Sequence, residues 1–317
     1  MSNKPNPSKP RPAPKGGGKS KPRPAPAAKA PAAPPPKRQS NSRTAKARQA
    51  QQRSRTTTIV IIGVVLVIGI ALVIAVSTSS NSKSSASVSA AEAKAIVATV
   101  AAVPQATTEQ VGKGIVTAVP LPTNGKALTS GGKPELLYIG AEFCPYCAAE
   151  RWSLANALTR FGSFTGVGVT HSSGTDVYPN TATLTFHGAT YTSKYLTFTG
   201  VETESNKQTS TGGYAPLDKL TPAQNALWSG LDPKQAFPFI DIGGKYWLHG
   251  ASYNPQLLAG KTAKEIAAAL KDPTDAITRS VLGVANNITA AICAVTNNTP
   301  ATVCTSTIKA LQKDITA

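Results

Sequence analysis

Two cysteines, Cys144 and Cys147, are the residues whose type and spacing most directly indicate chemistry in this chain. They form the sequence Cys-Pro-Tyr-Cys, directly after an apolar run at 136–139 and before a helix-like segment that starts at 148–152. A cysteine pair at the start of a helix that follows a strand is suited to thiol–disulfide exchange, because the helix N-terminus stabilises a thiolate. We expect Cys144 to form a mixed disulfide with a partner and Cys147 to resolve it.

The elements around this pair should place the two sulfur atoms differently. Glu135–Gly140 reads as a buried strand, and Pro145 fits the first turn of the following helix, where a missing N–H costs nothing. Cys147 falls at helical spacing on one face with the residues Leu154, Leu158 and Phe161. The pattern therefore predicts that Cys147 points towards the core and that Cys144 lies at an exposed helix end.

The motif has two other interpretations. Half of a zinc knuckle has the same spacing, although no second pair completes it and His171, His187 and His249 lie far apart in sequence. A redox-inactive pair in an adhesion or scaffold domain is a further alternative.

The charged and aromatic neighbours of the motif have competing interpretations as well. Glu142 could assist proton transfer to Cys147, but Glu142 and Glu150 equally fit solvated surface charges. Trp152 is expected to pack in the core, and Arg151 to be a surface or salt-bridge residue.

The N-terminal segment 1–57 differs in composition from the rest of the chain. It holds 15 Lys+Arg, no Asp or Glu, and 12 of the 25 prolines, so a net charge of only +3 out of +18 remains for residues 58–317. Such a segment cannot bury a core and is predicted to be a disordered cytoplasmic tail. It contains no aromatic residue to stack on bases, so we expect no nucleic-acid partner.

Residues 58–76 are predicted to be a transmembrane signal anchor. Positions 59–76 are all apolar or Gly, and 18 residues span roughly 27 Å as a helix. The preceding positive charges place the N-terminus in the cytoplasm and the C-terminal domain outside. A cleaved signal peptide ending near Ala75-Val76-Ser77 is the alternative. A Ser-rich linker and a short helix, 90–103, then occupy 77–104, and Pro104 ends that helix.

The remaining pattern predicts an alternation of strands and helices in 105–317. Expected strands are Ile115–Val119, Phe164–Thr170, a hairpin of Thr181–Phe186 with Lys194–Val201, and a hairpin of Phe239–Ile242 with Lys245–Leu248. Expected helices are Pro222–Ser229, Thr262–Leu270 and a C-terminal pair.

The C-terminal pair has a cysteine at each side of its turn. Cys293 ends the first helix and Cys304 begins the second, so a disulfide would close the turn and contribute roughly 3 kcal/mol. The alternative is a second redox pair that relays electrons to Cys144 and Cys147.

The order of these elements resembles the thioredoxin fold. In that superfamily a cis-proline precedes the third core strand and lies against the CxxC motif, and Pro238 stands at the matching position after Phe237. The resemblance implies that Phe237 and Pro238 contact a substrate strand, while we expect Pro145 and Tyr146 to line the same site and tune the reduction potential. Gly250 follows the hairpin, where such folds often keep a glycine.

Three longer stretches are similar to a narrower family. They are YIGAEFCPYCAAERWSLANALTRFG, SSGTDVYPNTATLTFHGATYTSKYLTF and ICAVTNNTPATVC. They resemble an uncharacterised thioredoxin-like family of membrane-anchored archaeal and actinobacterial proteins, over roughly Val111 to Thr307. The resemblance implies an α/β, thioredoxin-like fold with an inserted β-hairpin and a C-terminal helical pair, and it assigns no substrate.

Together these features predict a membrane-anchored, extracytoplasmic thiol–disulfide oxidoreductase. Its partners would be exported thiol or disulfide proteins or a membrane redox partner, and no metal or organic cofactor is implied. The alternative from a different class is a cell-surface binding or scaffold domain that has the fold without the catalysis.

Overall fold

The computed structural model describes residues 88–316. The predicted tail, the predicted anchor and most of the predicted linker lie outside the described residues. Within 88–316, no helix is both long enough and apolar enough to cross a membrane.

Residues 88–316 form an α/β structure of seven α-helices, twelve strands and a short 3-10 helix, Pro255–Leu258. The α-helices are α1 (Ala90–Ala101), α2 (Gln105–Val111), α3 (Pro145–Thr159), α4 (Pro222–Leu231), α5 (Ala263–Ala269), α6 (Ala276–Val295) and α7 (Ser306–Ile315). The strands are β1 (Leu121–Pro122), β2 (Thr129–Ser130), β3 (Lys133–Gly140), β4 (Gly162–Thr165), β5 (Gly168–His171), β6 (Ala182–Thr185), β7 (Thr190–Ser193), β8 (Thr197–Glu202), β9 (Glu204–Gln208), β10 (Tyr214–Pro216), β11 (Phe239–Ile242) and β12 (Tyr246–His249).

A mixed six-stranded sheet organises the domain around β3. The order β1–β12–β11–β3 runs through antiparallel pairs, with Tyr138 of β3 opposite Ile240 of β11. On its other side β3 pairs in parallel with β8, where Leu137 is opposite Thr199, and its first residues pair with β2. Strand β3 thus lies inside the sheet and ends directly before the cysteine motif.

Both faces of β3 are buried, as its apolar sequence predicts. Leu136 and Tyr138 belong to the main core, which also contains buried residues of α3 and α6. Leu137 and Ile139 belong to a smaller cluster with Trp228 of α4. Helix α3 therefore lies on one face of the sheet and α4 on the other.

The strands predicted between the cysteine motif and α4 are wrong in their pairing. Segment 164–170 is split between β4 and β5, and neither belongs to the central sheet. Strand β4 pairs with β7, and β5 pairs with β6, so residues 162–193 form one interrupted hairpin. Lys194–Val201 does not pair with Thr181–Phe186, because β8 pairs with β3 in the central sheet.

The predicted strand Ile115–Val119 is also wrong, whereas the predicted helices are present. The N–H groups of Ile115 and Thr117 donate to the carbonyls of Arg279 and Ser252, so this segment is fixed by isolated bonds and not by a ladder. Helix α1 ends at Ala101, and Pro104 is the N-cap of α2. The glycine-turn hairpin is β11–β12.

Candidate active site

The cysteine motif forms the N-terminal turn of α3. Cys144 is the N-cap residue, and its Sγ accepts a hydrogen bond from the backbone N–H of Cys147 at 3.3 Å. Pro145 occupies the first turn, as expected from its fixed φ and missing donor. The motif follows the C-terminal end of β3, where the strand leaves the sheet.

The two sulfur atoms have opposite electrostatic environments. A hydrogen bond from the Cys147 side chain lowers the pKa of Cys144, and the backbone N–H groups of Cys147 and Tyr146 act in the same direction. Burial opposes this effect but does not reverse it. For Cys147, burial raises the pKa well above its ordinary value, and the nearby Cys144 raises it further. Cys144 is therefore the sulfur that more readily becomes a thiolate.

A buried ion pair lies beneath the motif. The Nε and Nη2 atoms of Arg151, one helical turn after Cys147, contact the carboxylate oxygens of Glu202 at 2.7 and 2.8 Å. Nη2 of Arg151 also donates to the carbonyl of Ala141 at 2.6 Å, which ties the helix to the end of β3. The Arg151 charge lowers the pKa of both Cys144 and Cys147.

Two buried polar atoms near this ion pair have no hydrogen-bond partner within residues 88–316, namely the Tyr138 hydroxyl and Nη1 of Arg151. The Tyr138 hydroxyl is close enough to interact electrostatically with Arg151 and with both cysteines. Gly140 makes room for it, because a Cβ at that position would collide with the hydroxyl. The base of the site is thus polar although it is fully buried.

A chain of aromatic rings begins at Phe143, directly before the motif. Phe143, directly before Cys144, stacks on Tyr214 of β10 with ring centroids 4.2 Å apart. Phe143 and Phe237 form an edge-to-face pair with ring centroids 6.3 Å apart, and Phe237 in turn stacks on Trp228. The substrate-contact residue that sequence predicts is therefore next to the motif.

The interrupted hairpin 162–193 reaches the motif through its tip. The N–H of Ser173 donates to the carbonyl of Phe143 at 2.8 Å, and the ring of Tyr178 contacts Tyr146. Along its length the hairpin is bound to α3, since the Thr183 hydroxyl donates to the Ala148 carbonyl. The tip is therefore positioned by the same helix that carries the cysteines.

Cys144 and Cys147 are both buried, whereas Tyr146 is exposed. Cys144 is only 6% exposed, so the expectation of an exposed helix end is wrong for its side chain, and Cys147 is fully buried as expected. Tyr146 is 40% exposed and presents its ring to solvent. The residues on either side of Cys144 are contacted by other segments, since Ser173 bonds to Phe143 and Tyr178 contacts Tyr146.

Pro238 lies directly before β11 and is buried, and its peptide bond with Phe237 is cis, as the resemblance implies. Its carbonyl accepts a hydrogen bond from the N–H of Gly250 at 2.8 Å. Gly250 has φ +70°, a conformation that glycine adopts without strain. The glycine predicted after the hairpin thus fixes the proline segment.

Two charged residues near the motif differ from their sequence interpretation. Glu150 is fully buried and not solvated: its carboxylate accepts from the N–H and hydroxyl of Ser252, and burial raises its pKa to about 7. Arg151 was predicted to be a surface or a salt-bridge residue. It forms a salt bridge and is fully buried. Trp152 packs in the core as predicted.

The second cysteine pair is a disulfide. Cys293 and Cys304 are bonded and buried, which confirms the predicted closure of the turn between α6 and α7. Arg160 at the C-terminal end of α3 donates to Thr289, one helical turn before Cys293. Helix α3 has 15 residues and is about 22 Å long, so the disulfide lies towards the helix end opposite Cys144.

Sequence reasoning did not assign a site role to Glu202, Tyr138 or Tyr214. A signal existed for Arg151, which is four residues after Cys147 and so shares its inward face. No comparable signal marks Glu202, Tyr138 or Tyr214. They lie on β8, β3 and β10, and the sequence pattern does not reveal how these strands pair.

The fold and the site together define an α/β protein with a mixed sheet and a cysteine pair at the N-terminus of a buried helix. The family model described as Domain of unknown function (DUF929) matches residues 121–294, and the chain belongs to this family. This confirms the resemblance to an uncharacterised family. Neither the curated proteins nor the solved structures contain a match to the chain.

Proposed function

We propose that the chain is a thiol–disulfide oxidoreductase that uses Cys144 as nucleophile and Cys147 as resolving thiol. The observation that carries this proposal is the asymmetry of the pair. The pKa of Cys144 is lowered by hydrogen bonds to its sulfur, and that of Cys147 is raised by burial. Thiol–disulfide exchange needs this asymmetry, because one cysteine must attack as a thiolate while the other stays protonated until the mixed disulfide has formed.

The order of the central strands supports a thioredoxin-like domain. β3, which precedes the motif, pairs in parallel with β8 and antiparallel with β11, and Pro238 directly precedes β11. This order supports the thioredoxin-like resemblance if β8, and not the predicted strand 164–170, is the second core strand of the fold. The insertions are then the interrupted hairpin 162–193 and the hairpin of β9 and β10.

The exchange proceeds in two balanced steps when a partner is reduced. The Cys144 thiolate attacks a partner disulfide, one partner sulfur leaves and takes up a proton, and a mixed disulfide forms. Cys147 then loses its proton and attacks Sγ of Cys144, so the second partner thiol leaves. Two electrons and two protons pass to the partner, and the reverse sequence oxidises a partner dithiol. Because electrons pass between sulfur atoms, the reaction needs no metal or organic cofactor.

Phe237 and Pro238 are proposed to hold an extended segment of the partner beside Cys144. They precede β11 and lie outside its ladder, so the backbone of Phe237 is not used in the sheet. A peptide could pair with this segment as an added strand. Tyr146 and Pro145 would complete the surface that faces the partner, and the exposed ring of Tyr146 suits an apolar contact.

The proposed partners are exported proteins or a membrane redox protein. This follows from the sequence, which places an apolar segment at 58–76 after fifteen positive charges and so favours an extracytoplasmic domain. Disulfide exchange is effective in such a compartment.

A second candidate function is a binding or scaffold domain without redox turnover. The low exposure of Cys144, 6%, favours it, because a buried nucleophile cannot meet a partner disulfide unless its cover moves. An oxidoreductase must form and open a Cys144–Cys147 disulfide, whereas a scaffold need not, so one experiment separates the two candidates.

The test is a glutathione redox titration of the full-length chain in detergent, with free thiols alkylated and located by mass spectrometry. We expect a Cys144–Cys147 disulfide that opens between about −270 and −120 mV, the range of related enzymes. Opening at the upper end indicates a disulfide donor, and opening at the lower end indicates a reductase. Cysteines that never bond to each other would refute the redox function and favour the scaffold.

A Cys147→Ser variant adds a second readout in cells. It should accumulate mixed disulfides through Cys144, because the resolving thiol is missing. The matched control is Cys144→Ser, Cys147→Ser, which should accumulate none.

A further inference from the structure

A cavity of about 130 Å³ lies at the C-terminal end of α3, opposite the cysteine motif. Its walls come from the α1–α2 turn, the end of α3 and the segment that leads into α7. Since a water molecule takes up about 30 Å³ in the liquid, the cavity has room for a small polyatomic ligand. The residues that matter for its chemistry are Arg160, Glu109, Thr302 and Thr305.

Arg160 lines this cavity and is held by three neutral oxygen atoms. Its Nη1 donates to Oδ1 of Asn286 at 2.8 Å and to the hydroxyl of Thr289 at 3.1 Å. Its Nη2 donates to Oδ1 of Asn156 at 2.6 Å. A guanidinium has five N–H donors, and the rest find no acceptor among residues 88–316.

The orientation of both asparagines is fixed by the backbone. Nδ2 of Asn156 donates to the carbonyl of Val100, and Nδ2 of Asn286 donates to the carbonyls of Thr108 and Gly112. Their oxygen atoms must then face Arg160. The guanidinium is therefore held in one place by a prearranged set of acceptors, none of which carries a charge.

Arg160 forms no direct ion pair within the described residues. No carboxylate of residues 88–316 lies within 4.0 Å of its guanidinium nitrogens. Burial lowers the pKa of Arg160 to about 9, and the group is still charged at neutral pH. A partly buried charge without a counterion is costly, and an anion in the adjacent cavity would remove that cost.

The other polar groups at the cavity are compatible with an anion of limited size. Thr302 and Thr305 also line the cavity, and their hydroxyls can donate hydrogen bonds. Glu109 also lines the cavity, where its carboxylate accepts from Nε2 of Gln105 at 2.8 Å. Its negative charge would repel an anion and weaken the binding.

We propose that this cavity is a binding site for a small oxyanion, a carboxylate or a phosphate, which pairs with Arg160. The site does not depend on the proposed redox function, because it lies at the other end of α3 and uses neither Cys144 nor Cys147. Thr302 lies within the loop closed by the Cys293–Cys304 disulfide and Thr305 directly follows Cys304, so the disulfide restrains this wall of the site.

The test uses the full-length chain in a neutral detergent, with inorganic phosphate and acetate as probes and chloride at equal ionic strength as the control. We expect phosphate, acetate or both to raise the melting temperature in a saturable manner that chloride does not reproduce. A response to phosphate alone assigns the site to phosphate compounds, and a response to acetate alone assigns it to carboxylates. Equal effects of all three ions would overturn the proposal.

Two variants locate the effect. Arg160→Gln should abolish the saturable shift, and a retained shift would place the anion elsewhere and overturn the site. Because Arg160→Gln also removes hydrogen bonds that join α3 to α6, Glu109→Gln provides an independent measure. Removing that carboxylate should tighten binding of the same probe in isothermal calorimetry, and an unchanged affinity would count against the cavity even if Arg160→Gln does not fold.

Discussion

At the scale of single residues, the reactivity of the cysteine motif depends on charges that are buried beneath it. Cys144 and Cys147 share one helical turn, yet the pKa shifts of their thiols have opposite signs. Arg151 is the nearby cation, and it is held by Glu202 and by the carbonyl of Ala141. A hydrophobic replacement of the ion pair should therefore alter the thiols without removing the helix N-terminus.

The first prediction concerns this ion pair. In the double variant Arg151→Met, Glu202→Leu the titration midpoint of Cys144, followed by the ultraviolet absorbance of its thiolate, should move to higher pH. The physical reason is that the Arg151 charge, which lowers the pKa of Cys144, is absent. The single variant Arg151→Met should instead lose about 3–5 kcal/mol of unfolding free energy, because Glu202 is left as an unpaired buried charge. An unchanged midpoint in a folded double variant would contradict the assigned role.

The second prediction follows from Glu150. Burial raises its pKa from 4.5 to about 7, so the folded state binds a proton that the unfolded state releases. This stability is fully present below pH 4.5 and is lost as the pH rises through about 7, by about 3 kcal/mol. Asp241, whose pKa burial raises to about 6, acts with the same sign.

Urea unfolding at several pH values measures this effect. Glu150→Gln should flatten the loss of stability between pH 4.5 and 7, because a neutral amide can keep hydrogen bonds to Ser252 without titrating. Any pH dependence of the unfolding free energy that remains in Glu150→Gln would come from Asp241 and other groups. An equally steep loss of stability in Glu150→Gln would contradict the prediction.

At the scale of elements, two hairpins contact Phe143, the residue directly before Cys144, and we expect them to limit access to Cys144. The tip of hairpin 162–193 bonds to the backbone of Phe143, and the β9–β10 hairpin supplies Tyr214, which stacks on the same ring. A stacked aromatic pair is worth about 0.5–1.5 kcal/mol beyond its buried area. The cover is therefore stabilised by contacts that a single substitution can weaken.

The third prediction tests this cover. Tyr214→Ala should raise the rate at which iodoacetamide alkylates Cys144, by roughly twofold to thirteenfold if the lost stacking of about 0.5–1.5 kcal/mol appears as easier opening. The rate must be compared at a pH where the thiolate fraction is known. Lys207→Ala on the same hairpin is exposed and should have no effect. Equal rates for Tyr214→Ala and the parent chain would mean that the hairpin does not limit access.

The elements around the motif also show which parts of the fold the sequence could predict. Local signals were sufficient for α3, because Pro145, the cysteine spacing and the inward face of the helix all lie within a few residues. They were sufficient for the β11–β12 hairpin and the Cys293–Cys304 pair as well, since each involves neighbouring segments. The pairing of β8 with β3 joins segments about sixty residues apart, and alternation of side chains does not select a partner strand. For the same reason Glu202 could not be placed beneath the motif.

At the scale of the whole molecule, the chain divides into parts of very different composition. Residues 1–57 carry fifteen positive and no negative charges, and residues 59–76 carry no charge at all. The described residues 88–316 contain the cysteine motif, the disulfide and the core. The proposed function needs the first two parts only to position the third at a membrane.

The last prediction tests this division directly. The full-length chain should stay with the membrane after alkaline carbonate extraction, because 18 apolar or Gly residues suffice to cross a bilayer. The variant Leu66→Arg, Ile70→Arg should be extracted, since two arginines at the centre of a spanning helix together cost about 6 kcal/mol on the insertion scale. The control Leu66→Val, Ile70→Val keeps the segment apolar and should remain in the membrane. The intact mass of the extracted chain separates the two sequence interpretations: a retained anchor leaves residues 1–57 attached, whereas a chain that begins near Ser77 would establish cleavage and would place the domain free of the bilayer.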